Sequence, residues 1–348
     1  MARLYEPHTP ALATVYGDLE NFARAQTLAL PGTPGGIMTR ENATGFKFYS
    51  HQYYAVNGKK TEKYLAGPVG DATADAKSKE LAERIAELNE AIRNLRLLGR
   101  EGFSLADSKT YATVASLHNQ GVFEAGAMLV GSHAYGALLN QLGVRAAQYA
   151  TRDVDIARRA TLAFREPLQK SFLEIIRESG IPFVEIPHLS KSKPAVSFKE
   201  RGKSFFQVDL LVPGGSEVST AAVPELRAHA TALPHLNYLL QESQHAILLA
   251  REGCCTIKVP TPERFALHKL IVSQLRQRTE KARKDISQAC VLIAVLAERH
   301  PGALEDAAGA VSAPARKYLK KASIPALEQL RSHPRAIESL NAILGRLP

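Results

Sequence analysis

Three short segments in the middle of this sequence hold residue types that suit phosphate chemistry. Gly131-Ser132 closes a short apolar run, 127–130, and precedes a helical pattern over 133–142. Asp153-Val154-Asp155-Ile156 opens a strand pattern over 154–157, and Phe206-Gln207-Val208-Asp209-Leu210-Leu211 sets one carboxylate in an apolar strand over 205–211. In a strand, residues i and i+2 share a face, so Asp153 and Asp155 point the same way. Two neighbouring carboxylates repel unless a cation or a proton lies between them. With Asp209 on an adjacent strand and the same face, the set becomes an all-oxygen site for Mg2+, with Mn2+ as the alternative ion. Magnesium combines a few carboxylates with the phosphate oxygens of a substrate. Gly131 permits close backbone approach, Ser132 adds a hydroxyl, and the helix behind them aims free N–H groups at an anion. Taken singly, each piece has an ordinary explanation. Gly-Ser before a helix caps it, and one Asp-x-Asp among nine aspartates carries little weight. A lone buried Asp209 is costlier, because its strand offers no local cationic partner. The order of the three pieces along the chain is what favours the joint reading.

The elements that must position these residues follow from periodicity. From about 109 to 215, helices (111–120, 133–142, 166–179) alternate with strands (127–130, 154–157, 181–186, 195–199, 205–211), which predicts a mixed α/β core. Upstream, residues 1–40 are loosely patterned and end in the breaker cluster 31–36. A hairpin over 46–67 turns at Asn57-Gly58, and a helix over 72–98 carries Leu81, Ile85, Leu88, Ile92 and Leu95 as one apolar seam ended by Gly99. A seam that narrow is expected to pack on a neighbouring helix. Downstream, a hairpin (246–250 and 256–259, turning at 251–253) leads into helices at 263–281 and 285–299. Shorter helices follow, punctuated by Pro301, Pro314, Pro325 and Pro334. The fold class is α+β. A mixed-sheet core at 105–260 follows an N-terminal region (1–104) containing the hairpin and long helix, and precedes a C-terminal helical domain (261–348).

Composition narrows the function. The 348 residues are 45% hydrophobic and 22% charged, which excludes a disordered tail or a membrane-embedded bundle. Forty-four Lys+Arg against thirty-four Asp+Glu give a net charge of +10 and a pI near 9.5, a surplus that favours an anionic partner. Three cysteines, two of them adjacent, form neither a disulfide framework nor a zinc spacing, and the pair at Cys254-Cys255 is expected to pack in the core. The opening residues lack the apolar core of a signal peptide, and no apolar run approaches membrane length, so a cytoplasmic protein without membrane contact is expected. No P-loop, dinucleotide fingerprint, HExxH motif or Ser-His-Asp order is present.

The segment GSHAYGALLNQLGVR…TRDVDIA resembles the nucleotidyltransferase fold shared by DNA polymerase β, CCA-adding enzymes, kanamycin nucleotidyltransferase and abortive-infection nucleotidyltransferase toxins. More narrowly, it is similar to a family of mostly uncharacterised bacterial proteins of that fold. The resemblance covers roughly 105–300. It implies a glycine motif at Gly131-Ser132, a metal-binding pair at Asp153 and Asp155, and a third catalytic carboxylate at Asp209. It further implies a Mg2+-dependent transfer of a nucleoside monophosphate from a nucleoside triphosphate to an acceptor hydroxyl. One departure stands out: 21 residues separate Ser132 from Asp153, against about ten in the wider fold. Either the helix is longer or the loop 143–151 carries an insertion.

In related enzymes helical lysines downstream of the core neutralise the triphosphate, and Lys269 and Lys284 are the candidates here. Asp285 is a candidate for orienting Lys284. A solvated basic face is the alternative for each lysine. His133, next to the glycine motif, is read as a helix-capping or solvated residue, or as a phosphate contact. The acceptor implied by charge and resemblance is RNA, with the 3′ end of tRNA, a toxin or defence role and an antitoxin partner as the finer expectations. The hairpin interleaves Tyr49, Tyr53, Tyr54 and Tyr64 with Lys59, Lys60 and Lys63, which suits either nucleic acid or packing on the adjacent helix. The competing reading of the whole chain is a catalytically silent module that binds nucleic acid or a protein.

Overall fold

A strand, β1 (Tyr5–Pro7), opens the chain, and Thr9-Pro10 then starts a helix. The Thr9 hydroxyl accepts from the N–H of Leu12 at 3.5 Å, and Pro10 takes the first helical position, where its missing N–H costs nothing. The computed structural model describes residues 3–147, 151–187 and 194–346. Residues 3–41 are thus more ordered than the loose pattern suggests, forming β1, α1 (Pro10–Ala25) and β2 (Gly36–Glu41).

Next come β3 (Lys47–Tyr54) and β4 (Lys60–Ala66), so the expected hairpin is the inner part of a three-stranded antiparallel sheet, β2-β3-β4. Its turn is one residue longer than a two-residue Asn-Gly turn. The Ala55 N–H donates to the Lys59 carbonyl at 2.9 Å, and Gly58 takes the left-handed position at φ 76°. The long helix, α2 (Ala72–Arg100), starts at Asp71, whose carboxylate accepts from the N–H groups of Thr73 and Ala74. Gly99 lies inside its last turn, where any side chain would strike Leu105, and the chain leaves the helix through left-handed Gly102. Leu88, Ile92 and Leu95 are buried in one cluster with Tyr16, Leu19 and Ala23 of α1, as the seam requires, while Ile85 is buried outside that cluster and Leu81 is half-buried.

The middle of the chain forms α3 (Ser108–Asn119), β5 (Met128–Val130), α4 (Gly131–Gln141), β6 (Val144–Ala146) and β7 (Asp153–Ala157). It continues through α5 (Phe172–Arg177), β8 (Phe183–Glu185), β9 (Ser197–Glu200), β10 (Gln207–Pro213), β11 (Ser219–Val223) and β12 (Ala228–Leu233). The helix expected at 166–179 is confined to α5, because its start is set by a capping box between Ser171 and Glu174. Strands β11 and β12 carry mostly small residues, which give no clear alternating pattern.

One seven-stranded sheet runs β11-β12-β10-β7-β5, with β9 on the other half of β10 and β8 outside β9. β10 is parallel to β7 and β12, and antiparallel to β9. Alternation fixes its two faces: Val154 and Ile156 of β7, and Val208 and Leu210 of β10, are fully buried, while the intervening residues face a cleft. The extra chain between the glycine motif and β7 is not a longer helix. α4 has 11 residues, and β6 then pairs antiparallel with β1, tying the N-terminus to the core. Residues 148–150 of the expected insertion lie outside the described residues.

After α6 (Leu236–Leu239), the hairpin β13 (Ser243–Leu249) and β14 (Cys254–Pro260) divides its side chains between two cores. Ile247, Leu249 and Cys254 join α1 and α2, whereas Ala246, Leu248, Cys255 and Ile257 join the main core. Adjacent cysteines are therefore both buried, on opposite faces, and burial pushes the Cys254 thiol up to about 12. The C-terminal helices are α7 (Pro262–Ser273), α8 (Thr279–Arg299), α9 (Ala303–Gly309), α10 (Ala313–Gln329) and α11 (Pro334–Arg346), all contributing to the main core. The helix expected over 263–281 breaks after Ser273, and α8 begins six residues before its expected start. Pro325, expected to punctuate, lies inside α10.

Because β10 faces the core with one set of residues and the cleft with the other, neighbouring leucines differ in cost. Leu210→Ala should lower stability by about 3 kcal/mol, and Leu211→Ala by about 1 kcal/mol or less. Urea unfolding of the two variants checks the assigned faces.

Candidate active site

The sheet register brings the predicted carboxylates together. Asp155 of β7 lies opposite Asp209 of β10, and Asp153 lies opposite Gln207. All of them are on the face away from the core, so Asp153, Asp155 and Asp209 line one cleft of about 700 Å3 with Gly131 and Ser132. Val130 pairs with Asp155, which puts Gly131 against that carboxylate. Gly131 has φ 70°, and a Cβ there would collide with the Asp155 carboxyl group, so both backbone and space demand glycine. α4 starts at this glycine with no side-chain cap on its first N–H groups.

Electrostatics follow from this crowding. Burial and the facing charge of Asp209 push Asp155 up to about 7, with Asp153 adding to the effect and Lys269 and Arg276 opposing it. Burial also raises Asp209, against the hydrogen bonds it accepts from Ser197 and Gln207. The Gln207 amide donates to both carboxylate oxygens of Asp209, at 2.8 and 2.9 Å. Although the three carboxylates share the cleft, among the described residues no group of three Asp, Glu, His or Cys side chains is already arranged to hold a metal ion. The donor set nevertheless suits a hard divalent cation: it is all oxygen, and a carboxyl group pushed to about 7 by burial and a facing like charge is one that a cation would stabilise.

The opposite wall comes from α7, α8 and the turn between them. Lys269, Arg276, Lys281 and Lys284 all line the cleft. Asp285, expected to orient Lys284, acts on that ammonium through its charge. It accepts from Lys269 Nζ at 2.6 Å and from Arg276 Nε at 2.7 Å. Lys269 and Asp285 are both buried, and although burial raises the Asp285 carboxyl, the two cations hold it below its usual range. The Arg276 pair also ties the turn between α7 and α8 to α8. Burial and the neighbouring Lys269 lower the Lys284 ammonium, partly offset by Asp285, Asp153 and Asp155.

His133 is half-buried beside α3, its Nε2 3.4 Å from the Thr110 hydroxyl, and is not among the residues lining the cleft. Burial lowers it to about 4. The tyrosines of the N-terminal sheet divide: Tyr49 donates to Asp75 of α2 at 2.8 Å and Tyr53 is buried, while Tyr54 and Tyr64 are exposed. Sequence reasoning missed Gln207 and the pairing of Arg276 with Asp285. The first was open to the same period-2 argument that found Asp209.

A mixed sheet with a glycine turn before a helix and carboxylates on its central strands, closed by basic helices, is an architecture of phosphate-handling transferases. Residues 108–312 match the family described as Nucleotidyltransferase, and the chain belongs to that family. It is an enzyme that transfers nucleotidyl groups. No curated protein and no solved structure matches it. Among the described residues no helix is long and apolar enough to cross a membrane.

The Asp155 charge carries a stability cost with a definite sign. Its pKa rises from 3.8 to about 7 on folding, so the folded chain binds the extra proton. Stability present below pH 4 is lost as pH rises through 7. Asp155→Asn should therefore be more stable than the parent at pH 8, by on the order of 2 kcal/mol, and melt at a higher temperature, with the difference shrinking toward pH 5. Thermal melts at both values check it.

Proposed function

We propose that the protein moves a nucleoside monophosphate from a nucleoside triphosphate to a hydroxyl of RNA. The observation that carries this reading is the meeting, across one cleft, of Asp153, Asp155 and Asp209 with Lys269, Arg276, Lys281 and Lys284. Asp153 and Asp155 would hold Mg2+, with Mn2+ as a substitute, and Asp209 would share it. When bound, the cation supplies Lewis-acid neutralisation of the phosphate under attack. Ser132 and the first N–H groups of α4 grip the β- and γ-phosphates, and the four basic side chains supply the remaining counter-charge. Asp209, raised by burial, takes the proton of the acceptor hydroxyl. The acceptor oxygen then bonds to the α-phosphorus, the bond from that phosphorus to the bridging oxygen breaks, and pyrophosphate leaves with the electron pair.

RNA is favoured as acceptor by the surplus of ten positive charges. The 3′ end of tRNA, a growth-controlling toxin role and an antitoxin partner extend this reading by resemblance alone. Incubation with Mg2+, total cellular RNA and each α-labelled nucleoside triphosphate tests it. Label is expected in a tRNA-sized band for one nucleotide and should fall to background in Asp153→Ala/Asp155→Ala. Label on protein instead of RNA would transfer the activity to protein modification. No label with retained triphosphate binding would favour a silent binding module.

A further inference from the structure

One wall of the cleft is unexplained by phosphate chemistry. On α7, Phe265, His268, Lys269 and Val272 fall on one face by their 3-4 spacing and all line the cleft, where Leu236 and Leu239 of α6 join them. Apart from His268 and Lys269, these side chains are apolar. The His268 side chain is buried, 8% exposed, yet its Nε2 has no hydrogen-bond partner. A buried polar atom without a partner is expensive, on the order of 1–3 kcal/mol, and marks a place where a ligand or water completes the bond. Burial and the nearby Lys269 lower the imidazole to about 3, so it is neutral at working pH and not a further phosphate cation. The rim beside it is strained. His235, between β12 and α6, holds a left-handed φ of 60°, and among the described residues only Arg227 shares that state without being glycine.

We infer that His268 reads the nucleobase of the triphosphate, its Nε2 bonding a polar edge of the base while Phe265, Val272, Leu236 and Leu239 cover the base faces. This inference rests on the nucleotide reading of the cleft. Lys269, next in sequence, then lies at the boundary between base and phosphates, with its ammonium 5.4 Å from the Phe265 ring centre and bound to Asp285. A cleft of about 700 Å3 is within the range of small-ligand sites. A neutral imidazole in an apolar wall discriminates by hydrogen-bond pattern, because the wrong base leaves a buried polar group unpaired.

Equilibrium binding of ATP, GTP, CTP, UTP and inorganic tripolyphosphate to the full chain, in Mg2+, tests this. The parent protein should bind one nucleoside triphosphate at least about tenfold more tightly than another and than tripolyphosphate, one hydrogen bond's worth of discrimination. His268→Leu should lose that preference, with tripolyphosphate affinity changed less than about twofold. His268→Gln, which keeps a polar tip and guards against a misfolded leucine variant, should bind triphosphates with an altered base order. An equal loss of tripolyphosphate binding in His268→Leu would make His268 a phosphate contact and overturn the inference. So would an unchanged base order in both variants. Failure of the parent to bind any triphosphate would overturn the nucleotide reading of the cleft itself, and this inference with it.

Discussion

Two carboxylates held in register on parallel strands are the constraint around which this molecule is arranged. Asp155 faces Asp209 because β7 and β10 pair residue for residue, and the same pairing sends Val154, Ile156, Val208 and Leu210 into the core. The side chains cannot separate without breaking the sheet that holds the core together. Burial, together with the facing charge of Asp209, raises Asp155 to about 7, so the folded chain holds an unfavourable charge that a proton or a cation relieves. Gln207, whose amide nitrogen donates to both oxygens of Asp209, holds one of the two partners in place.

The opposing wall shows the complementary solution. Lys269 is a buried ammonium and would be costly alone, and Asp285, itself buried, compensates it and Arg276 together. One carboxylate thus fixes two cations at defined positions while leaving the cleft wall net positive with Lys281 and Lys284. The break between α7 and α8 belongs to this arrangement, since the turn is what brings Arg276 back to a residue on the next helix. Preorganised charge of this kind needs little rearrangement when a polyanion arrives. The apolar stretch of the same wall, with His268 buried in it, gives the cleft two chemically different ends.

Much of this was legible in the sequence, and the parts that were not have physical causes. Period-2 alternation located Asp153, Asp155 and Asp209, because a strand between core and cleft must alternate. The α2 seam was legible for the same reason at helical period. β11 and β12 were not, since Ser-Thr-Ala-Ala-Val and its partner contrast too weakly to show a buried face. α1 was signalled only by Thr9-Pro10, and β1 and β6 are three-residue strands defined by each other. The Asp285 partnership could not be read from adjacency. Neighbours on a helix do not face one another, and the partners come from a different helix and a turn. The long spacing between Ser132 and Asp153 became clear once β6 was seen to bind the N-terminal strand.

The central claim is that the carboxylate wall and the basic wall grip one metal-bound triphosphate. Its most direct measurement is Mn2+ binding followed by electron paramagnetic resonance, with and without a non-hydrolysable nucleoside triphosphate. Tight Mn2+ binding that requires the triphosphate, and that is lost in both Asp153→Asn and Lys284→Ala, is the predicted result. Mn2+ binding unaffected by Asp153→Asn, or triphosphate binding indifferent to both substitutions, would contradict the account.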